Sequence, residues 1–134
     1  MKDKLLKWYD KNQYSFPWRD CTDPYKIWIS EVMLQQTRTA TVIPYYMRWL
    51  KALPDIESVA TASMDTILKL WEGMGYYKRA LHFREACKII MNHNKGRVPT
   101  EYNELLALPG VGPYTAAAVM SIVFHHPIPT LDGN

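Results

Sequence analysis

Glu31 is a carboxylate surrounded by apolar residues in the stretch WISEVML at positions 28–34. Because apolar surroundings disfavour the charged form, this environment predicts a raised pKa and a carboxyl group that keeps its proton near neutral pH. A protonated glutamate is a general acid. The alternative is an ordinary solvent-facing glutamate on an amphipathic helix, and the local sequence alone favours that alternative.

Asp132 is a second carboxylate of interest, in the stretch IPTLDGN at positions 128–134. Its side chain could stabilise a positive charge that develops during a reaction. The alternative, which this stretch taken alone favours, is that Asp132 caps a helix that begins beyond the last residue. This stretch alone does not decide between the two roles.

The stretch LPGVGPYTAAAV at positions 108–119 predicts an anion-binding turn. Gly110 and Gly112 permit positive φ and a close approach of the backbone, and Pro113 suits the first position of a helix. Backbone amides and the positive end of that helix would then face an anion, for which a phosphate is the commonest candidate. A tight helix–helix turn without a ligand is the alternative.

The two carboxylates and the glycine-containing turn must be positioned by helices, which are joined by turns that contain proline or glycine. The sequence predicts an all-α fold, without a long segment of period-two alternation. The predicted elements comprise a helix at 5–9, one from Tyr25 to about Thr39, one with Pro44 in its first turn, one from Ser63 to Gly73, one ending at Gly96 and one capped by Thr100.

Composition limits the classes of function. The 134 residues, 48% of them hydrophobic, suit a single core, and a net charge of +3 makes any contact with nucleic acid local. Cys21 and Cys87 lie far apart, and no secretory leader precedes them, so we expect an intracellular protein with reduced thiols. With no apolar run of 18 residues, we expect no membrane span.

Five motifs in one order resemble those of the MutY-type adenine DNA glycosylases, within the helix-hairpin-helix superfamily related to endonuclease III. They are PWR at 17–19, DPYKIWISEVMLQQTRTATVIPYY at 23–46, LWEGMGYYKRA at 70–80, LPGVGPYTAAAV at 108–119 and LDGN at 131–134. The resemblance implies a six-helix barrel at 25–134 with the helix-hairpin-helix at 105–125. It assigns residues 1–24, an amino-terminal helix and loop, to a second, cluster-side domain.

The resemblance implies a monofunctional enzyme of base excision repair that hydrolyses the N-glycosidic bond of adenine mispaired with 8-oxoguanine or guanine. Glu31 would protonate adenine, and Asp132 would stabilise the oxocarbenium-like sugar. Strand-cutting relatives have a lysine two residues after the second hairpin glycine, where this sequence has Tyr114. A phenol cannot form the required imine. We expect Tyr114 to line the pocket, with packing into the core as the alternative.

The remaining site residues contact DNA in this interpretation. Gln36 would be inserted into the duplex, Thr37 would read the opposite base and Leu34 would lie near the flipped adenine. Tyr76 would stack beside the oxidised guanine; apart from the resemblance, a core tyrosine is the better interpretation. The other residues assigned to DNA are Arg19, Gln35, Gly110, Val111 and Gly112.

The implied partner is double-stranded DNA with an A:8-oxoguanine or A:G mismatch, bound by a monomer in the cytoplasm or nucleoid. We expect no metal or cofactor within this chain. The 4Fe-4S cluster and the 8-oxoguanine-recognition domain of the family would follow residue 134. Two alternatives are a thymine or pyrimidine mismatch glycosylase of the same superfamily and a non-enzymatic DNA-binding module that keeps only the hairpin.

Overall fold

The computed structural model describes residues 22–123, which contain seven helices and no strand. The predicted all-α class is therefore confirmed for this part of the chain. The predicted helix at 5–9, Arg19, Cys21 and Asp132 lie outside the described residues. The helices are α1 Pro24–Leu34, α2 Thr39–Ala52, α3 Ile56–Thr61, α4 Met64–Trp71, α5 Lys78–His93, α6 Tyr102–Leu106 and α7 Pro113–Val123. None of them is both long and apolar enough to cross a membrane.

Helix α1 lies at the centre of the packing, because it contacts α2, α5 and α7. Its amino terminus is defined by Pro24 in the first turn and by Asp23, whose carboxylate accepts a hydrogen bond from the Tyr25 amide at 2.9 Å. Most of its side chains are buried, including Trp28, Ile29, Val32 and Met33. This nearly all-round burial explains why α1 has so little polar surface.

Four aromatic rings from different helices meet in the core. The ring of Phe83 packs edge-on against Trp28 at 4.5 Å and Trp49 at 5.9 Å, and Trp49 packs against Trp71 at 5.7 Å. The Trp49 indole donates a hydrogen bond to the Tyr25 hydroxyl at 3.0 Å. Truncating one such ring to alanine typically costs about 3–5 kcal/mol, so this cluster holds α1, α2, α4 and α5 together.

Several predicted boundaries agree with the structure. Ser63 caps α4 by accepting a hydrogen bond from the Thr66 amide at 3.1 Å, and Gly73 follows the end of that helix at φ 98°. Gly96 has φ 80° and donates its amide to the carbonyl of Ile90 after the end of α5. In these places the terminating residues act locally, so the sequence predicts them well.

Other predictions about the helices were wrong. The first helix ends at Leu34 instead of about Thr39, and Pro44 lies inside α2, not in its first turn. The N-cap position of α6 is occupied by Glu101, not Thr100, and the Glu101 side chain makes no capping hydrogen bond. The sequence analysis also missed α3, a single short helix that begins with a reciprocal capping box between Asp55 and Ser58.

Candidate functional site

Glu31 lies in the last turn of α1, half-buried among the apolar residues of that helix. Burial raises the pKa of its carboxyl group above the ordinary value. Among residues 22–123 it has neither a hydrogen-bond partner nor an ion-pair partner to oppose that effect. The environment matches the one expected of a proton donor, and it contradicts the alternative of a fully solvated glutamate.

The segment 35–37 leaves α1 in an unusual backbone conformation. Gln35 is extended, and Gln36 has φ 59°, a left-handed conformation that residues other than glycine rarely adopt. Both glutamine side chains are exposed. The Gln35 Nε2 donates to the buried Thr115 Oγ1 at 3.3 Å, so one of its amide donors is occupied within the chain. Gln36 is thus the freer of the two to reach a bound molecule.

Arg79, near the start of α5, holds this segment and was missed by the sequence analysis. Its guanidinium donates to three carbonyls of the α1 end, to one hydroxyl and to two carbonyls of the preceding loop. These acceptors are Val32 O (3.1 Å), Met33 O (2.9 Å), Gln35 O, Thr37 Oγ1 (3.0 Å), Gly75 O (3.2 Å) and Tyr76 O (3.4 Å). Nothing local in the sequence distinguishes Arg79 from its neighbour Lys78, because its partners are mostly more than 40 positions away.

Tyr76 is displayed by the loop between α4 and α5. Its side chain is 63% exposed and its backbone is left-handed at φ 50°, which contradicts the alternative of a core tyrosine. Two hydrogen bonds fix this loop. The Trp71 indole donates to the Gly75 carbonyl at 3.0 Å, and the Tyr45 hydroxyl donates to the Glu72 carbonyl at 2.7 Å.

An open groove of about 260 Å³ separates the segment 35–37 from the loop that carries Tyr76. It is lined by Gln35, Gln36, Tyr76, Tyr77, Lys78 and Arg79. Two aromatic rings, two amides and two cations suit a flat polar molecule with negative charges attached. The groove therefore brings together three of the predicted site residues, Gln35, Gln36 and Tyr76. Gln36 and Tyr76 are 40 positions apart in the sequence.

The turn between α6 and α7 forms the predicted hairpin. Gly110 has φ 77°, and a Cβ atom placed there would lie 2.9 Å from the Cβ of His82. Gly112 differs: its φ is not in the left-handed region, and a Cβ atom there would meet nothing within 4 Å. Both glycines permit a positive φ; Gly110 adopts one, and Gly112 does not. Its surroundings instead leave room for another molecule.

Val111, between these glycines, stays a predicted DNA contact. Its side chain is only 8% exposed, and its amide donates to the Leu108 carbonyl at 3.2 Å. The amides of Gly110 and Gly112 have no backbone acceptor within residues 22–123. These two amides, with the positive end of α7, are thus the groups available to an anion.

Tyr114 projects into solvent from the first turn of α7. Its side chain is 86% exposed, which contradicts the alternative of packing in the core. Leu34, by contrast, is half-buried and packs against the core, and Thr37 is held by Arg79. Because α1 contacts both α5 and α7, the elements that carry Glu31, the groove and the hairpin are direct neighbours.

No group of three or more histidine, cysteine, aspartate or glutamate side chains that could hold a metal ion occurs between residues 22 and 123. Cys87 is buried, and burial raises the pKa of its thiol. A single buried thiol does not fit the four-cysteine cluster that the resemblance implies.

This chain is similar to a family of base excision DNA repair proteins and to adenine DNA glycosylases. Residues 29–134 match the family model described as "HhH-GPD superfamily base excision DNA repair protein". The adenine DNA glycosylase of Buchnera aphidicola subsp. Baizongia pistaciae is 43% identical over 131 residues, which are 97% of this chain and 37% of that protein. The human adenine DNA glycosylase is 39% identical over 142 residues, covering 99% of this chain and 26% of that protein.

Solved structures agree on the fold. A thermostable thymine-DNA glycosylase superposes with a TM-score of 0.76 at 30% identity, over 93% of this chain and 62% of that one. An endonuclease III trapped in a covalent DNA intermediate superposes with a TM-score of 0.72 at 24% identity, over 93% and 61%. The chain spans little more than a third of the Buchnera relative's length.

Proposed function

This chain belongs to the HhH-GPD superfamily of base excision DNA repair proteins, and we propose that the protein containing it removes adenine mispaired with 8-oxoguanine or guanine. The observation that carries the proposal is the state of Glu31, a half-buried carboxyl group whose pKa is raised by burial at the end of the central helix. The adenine DNA glycosylases that match almost the whole chain support the choice of base.

Glu31 acts as the general acid in this proposal. Adenine is a poor leaving group as an anion, whereas a base protonated on a ring nitrogen leaves as a neutral molecule. A carboxyl group that is still protonated near neutral pH can supply that proton, and burial raises the pKa of Glu31 in that direction. Leu34, one turn further along α1, would contact the flipped adenine.

We assign opening of the base pair to the groove between the segment 35–37 and the loop that carries Tyr76. Flipping a base out of the stack costs a few kcal/mol, and side chains that fill the gap offset that cost. Gln36 and Tyr76 are both exposed, and both line the groove. We assign Gln36 to the position vacated by adenine, Tyr76 to stacking against the opposite base and Thr37 to reading that base.

The hairpin anchors the duplex without reading its sequence. The amides of Gly110 and Gly112 at the positive end of α7 suit a backbone phosphate. Room beside Gly112 supports a close approach of such a group. Arg19, outside the described residues, is assigned a further contact to DNA.

The reaction ends at an abasic site in this proposal. Asp132, outside the described residues, is assigned to stabilising the positive charge on the sugar, and water is the final nucleophile. Tyr114 is exposed where strand-cutting relatives carry a lysine, and a phenol forms no imine. We therefore propose a monofunctional glycosylase. We also propose that it is a monomer and that it acts on DNA inside the cell.

The 4Fe-4S cluster and the domain for 8-oxoguanine are assigned to the remainder of the protein. The residues described in this chain supply the proton donor, the groove and the hairpin.

The test is to incubate the full-length protein with duplexes that contain A opposite 8-oxoguanine, A opposite guanine, T opposite guanine or a normal pair, and to identify the released base. We expect free adenine from the first two duplexes only. Release of thymine would support the pyrimidine glycosylase suggested by the 30% identical thymine-DNA glycosylase structure. Binding without release of any base would support the non-enzymatic module.

A further inference from the structure

Arg79 joins the two segments that line the groove. From its place on α5 it reaches the last carbonyls of α1 and the Thr37 hydroxyl on one side, and the carbonyls of Gly75 and Tyr76 on the other. The planar guanidinium also lies 5.1 Å from the Trp71 ring and 5.7 Å from the Tyr76 ring. Its several donors and its stacking fix the side chain in one orientation.

The partners of Arg79 are carbonyls and a hydroxyl, and within residues 22–123 no carboxylate pairs with it. An unpaired guanidinium against the carbonyl end of a helix acts as a C-terminal cap. It replaces the glycine that usually ends a helix, and it explains why α1 ends at Leu34 without a glycine or proline nearby. Gln36 and Tyr76 line the groove, and both have left-handed backbones. Arg79 binds the carbonyl of Gln35, directly before Gln36, and the carbonyl of Tyr76 itself.

We propose that Arg79 is a positioning residue that fixes the separation and orientation of Gln36 and Tyr76, so that both can engage the same mispair. The inference rests on the proposed function, which assigns those two side chains to the DNA. Without the guanidinium, the end of α1 and the loop before α5 lose their common anchor. Each segment then samples conformations in which its side chain misses the base pair.

Arg84 provides a matched control on the same helix. Its Nε donates to the Ala62 carbonyl at 3.0 Å, and Ala62 is the C-cap residue of α3. Arg84 is half-buried like Arg79. It therefore also anchors the end of a helix, but one that does not border the groove.

The experiment compares Arg79→Met, Arg79→Lys and Arg84→Met in the full-length protein. Single-turnover release of adenine is measured at saturating protein and expressed per folded molecule, with the folded fraction taken from circular dichroism. A 2-aminopurine beside the mispair reports unstacking by its fluorescence. Affinity for an undamaged duplex reports the hairpin contacts.

For Arg79→Met we expect adenine release to fall about 100-fold per folded molecule, because a misplacement of about 1 Å has effects of that size. The rise in 2-aminopurine fluorescence should be lost, while affinity for the undamaged duplex stays within about threefold, since the hairpin is intact. Arg79→Lys should be impaired similarly, because an ammonium is a point charge and cannot span both segments. If Arg79→Met does not fold, the same measurements on Arg79→Lys test the inference. Arg84→Met should release adenine at the native rate per folded molecule.

Native rates and native fluorescence in folded Arg79→Met or Arg79→Lys would overturn the inference. Equal losses in Arg84→Met would also overturn it, because they would show a general effect of weakening α5. If the native protein released no adenine from either mispair, the proposed function would fail first, and the inference would fall with it.

Discussion

Replacing Gly110 and Gly112 one at a time by alanine should separate folding from DNA binding. Gly110 has φ 77°, and its new Cβ atom would lie 2.9 Å from the His82 Cβ, which is fixed to the backbone of α5 and cannot rotate away. A left-handed backbone costs an L-residue about 1–2 kcal/mol, and relieving the contact requires the backbone to shift as well. We expect Gly110→Ala to lower the free energy of unfolding by about 2–3 kcal/mol.

Gly112→Ala should behave in the opposite way. Its methyl group meets nothing within 4 Å in the free protein and its backbone is not left-handed. Alanine also restricts the unfolded chain, so stability should be unchanged or higher by about 0.4–1 kcal/mol. If a phosphate approaches this backbone, however, the methyl group occupies part of that space. We expect binding to weaken about tenfold, or about 1.4 kcal/mol.

The assay combines urea unfolding with fluorescence anisotropy of the full-length protein on matched and mismatched duplexes. The loss of affinity for Gly112→Ala should be the same on every duplex, because the hairpin contacts phosphate and not bases. Native affinity of Gly112→Ala would refute the close approach of a phosphate, and a loss confined to mismatched duplexes would refute the role in anchoring. Native stability of Gly110→Ala would refute the argument from backbone strain.

The remaining predictions concern Glu31 and Tyr114. Glu31→Gln should abolish adenine release in single-turnover assays while leaving mismatch affinity within about tenfold, because only the proton donor is removed. Burial raises the pKa of Glu31. Between about pH 4.3 and that raised pKa, the native state therefore binds more protons than the unfolded state, and the free energy of unfolding falls as the pH rises through this range. Urea unfolding should thus find Glu31→Gln more stable than the native protein at pH 7, with the difference vanishing below about pH 4; a constant difference would contradict the raised pKa. Tyr114→Lys should gain a DNA adduct that borohydride traps and some strand cleavage, whereas a trapped adduct with the native tyrosine would contradict the monofunctional assignment.

The hairpin and the environment of Glu31 were predictable because their causes are local. The apolar neighbours of Glu31 in the sequence indicated its burial, which raises the pKa of its carboxyl group, and the two glycines before Pro113 indicated the turn. The missed helix α3 also has a local signal, the capping box between Asp55 and Ser58. Its six residues are too few to show a helical period, so only the cap would have revealed it.

The end of α1 and the different roles of the two hairpin glycines were not predictable from local sequence. Helix formers continue past Leu34, and the group that ends the helix, Arg79, lies 44 positions beyond Gln35. Similarly, Gly110 faces His82 across a tertiary contact, whereas Gly112 faces open space. Both distinctions depend on which helices are neighbours, and sequence spacing does not contain that information.

The position of Glu31 in the last turn of α1 gives the end of this helix two opposing electrostatic effects. The carbonyl end of a helix carries partial negative charge, which disfavours a carboxylate and acts in the same direction as burial. The guanidinium of Arg79 neutralises part of that charge by binding the carbonyls of Val32 and Met33. Those carbonyls and the Gly75 carbonyl take up donors of Arg79, and within the described residues Arg79 makes no ion pair with Glu31. One cation can thus end the helix and order the groove while the neighbouring carboxyl group keeps the raised pKa that an acid needs.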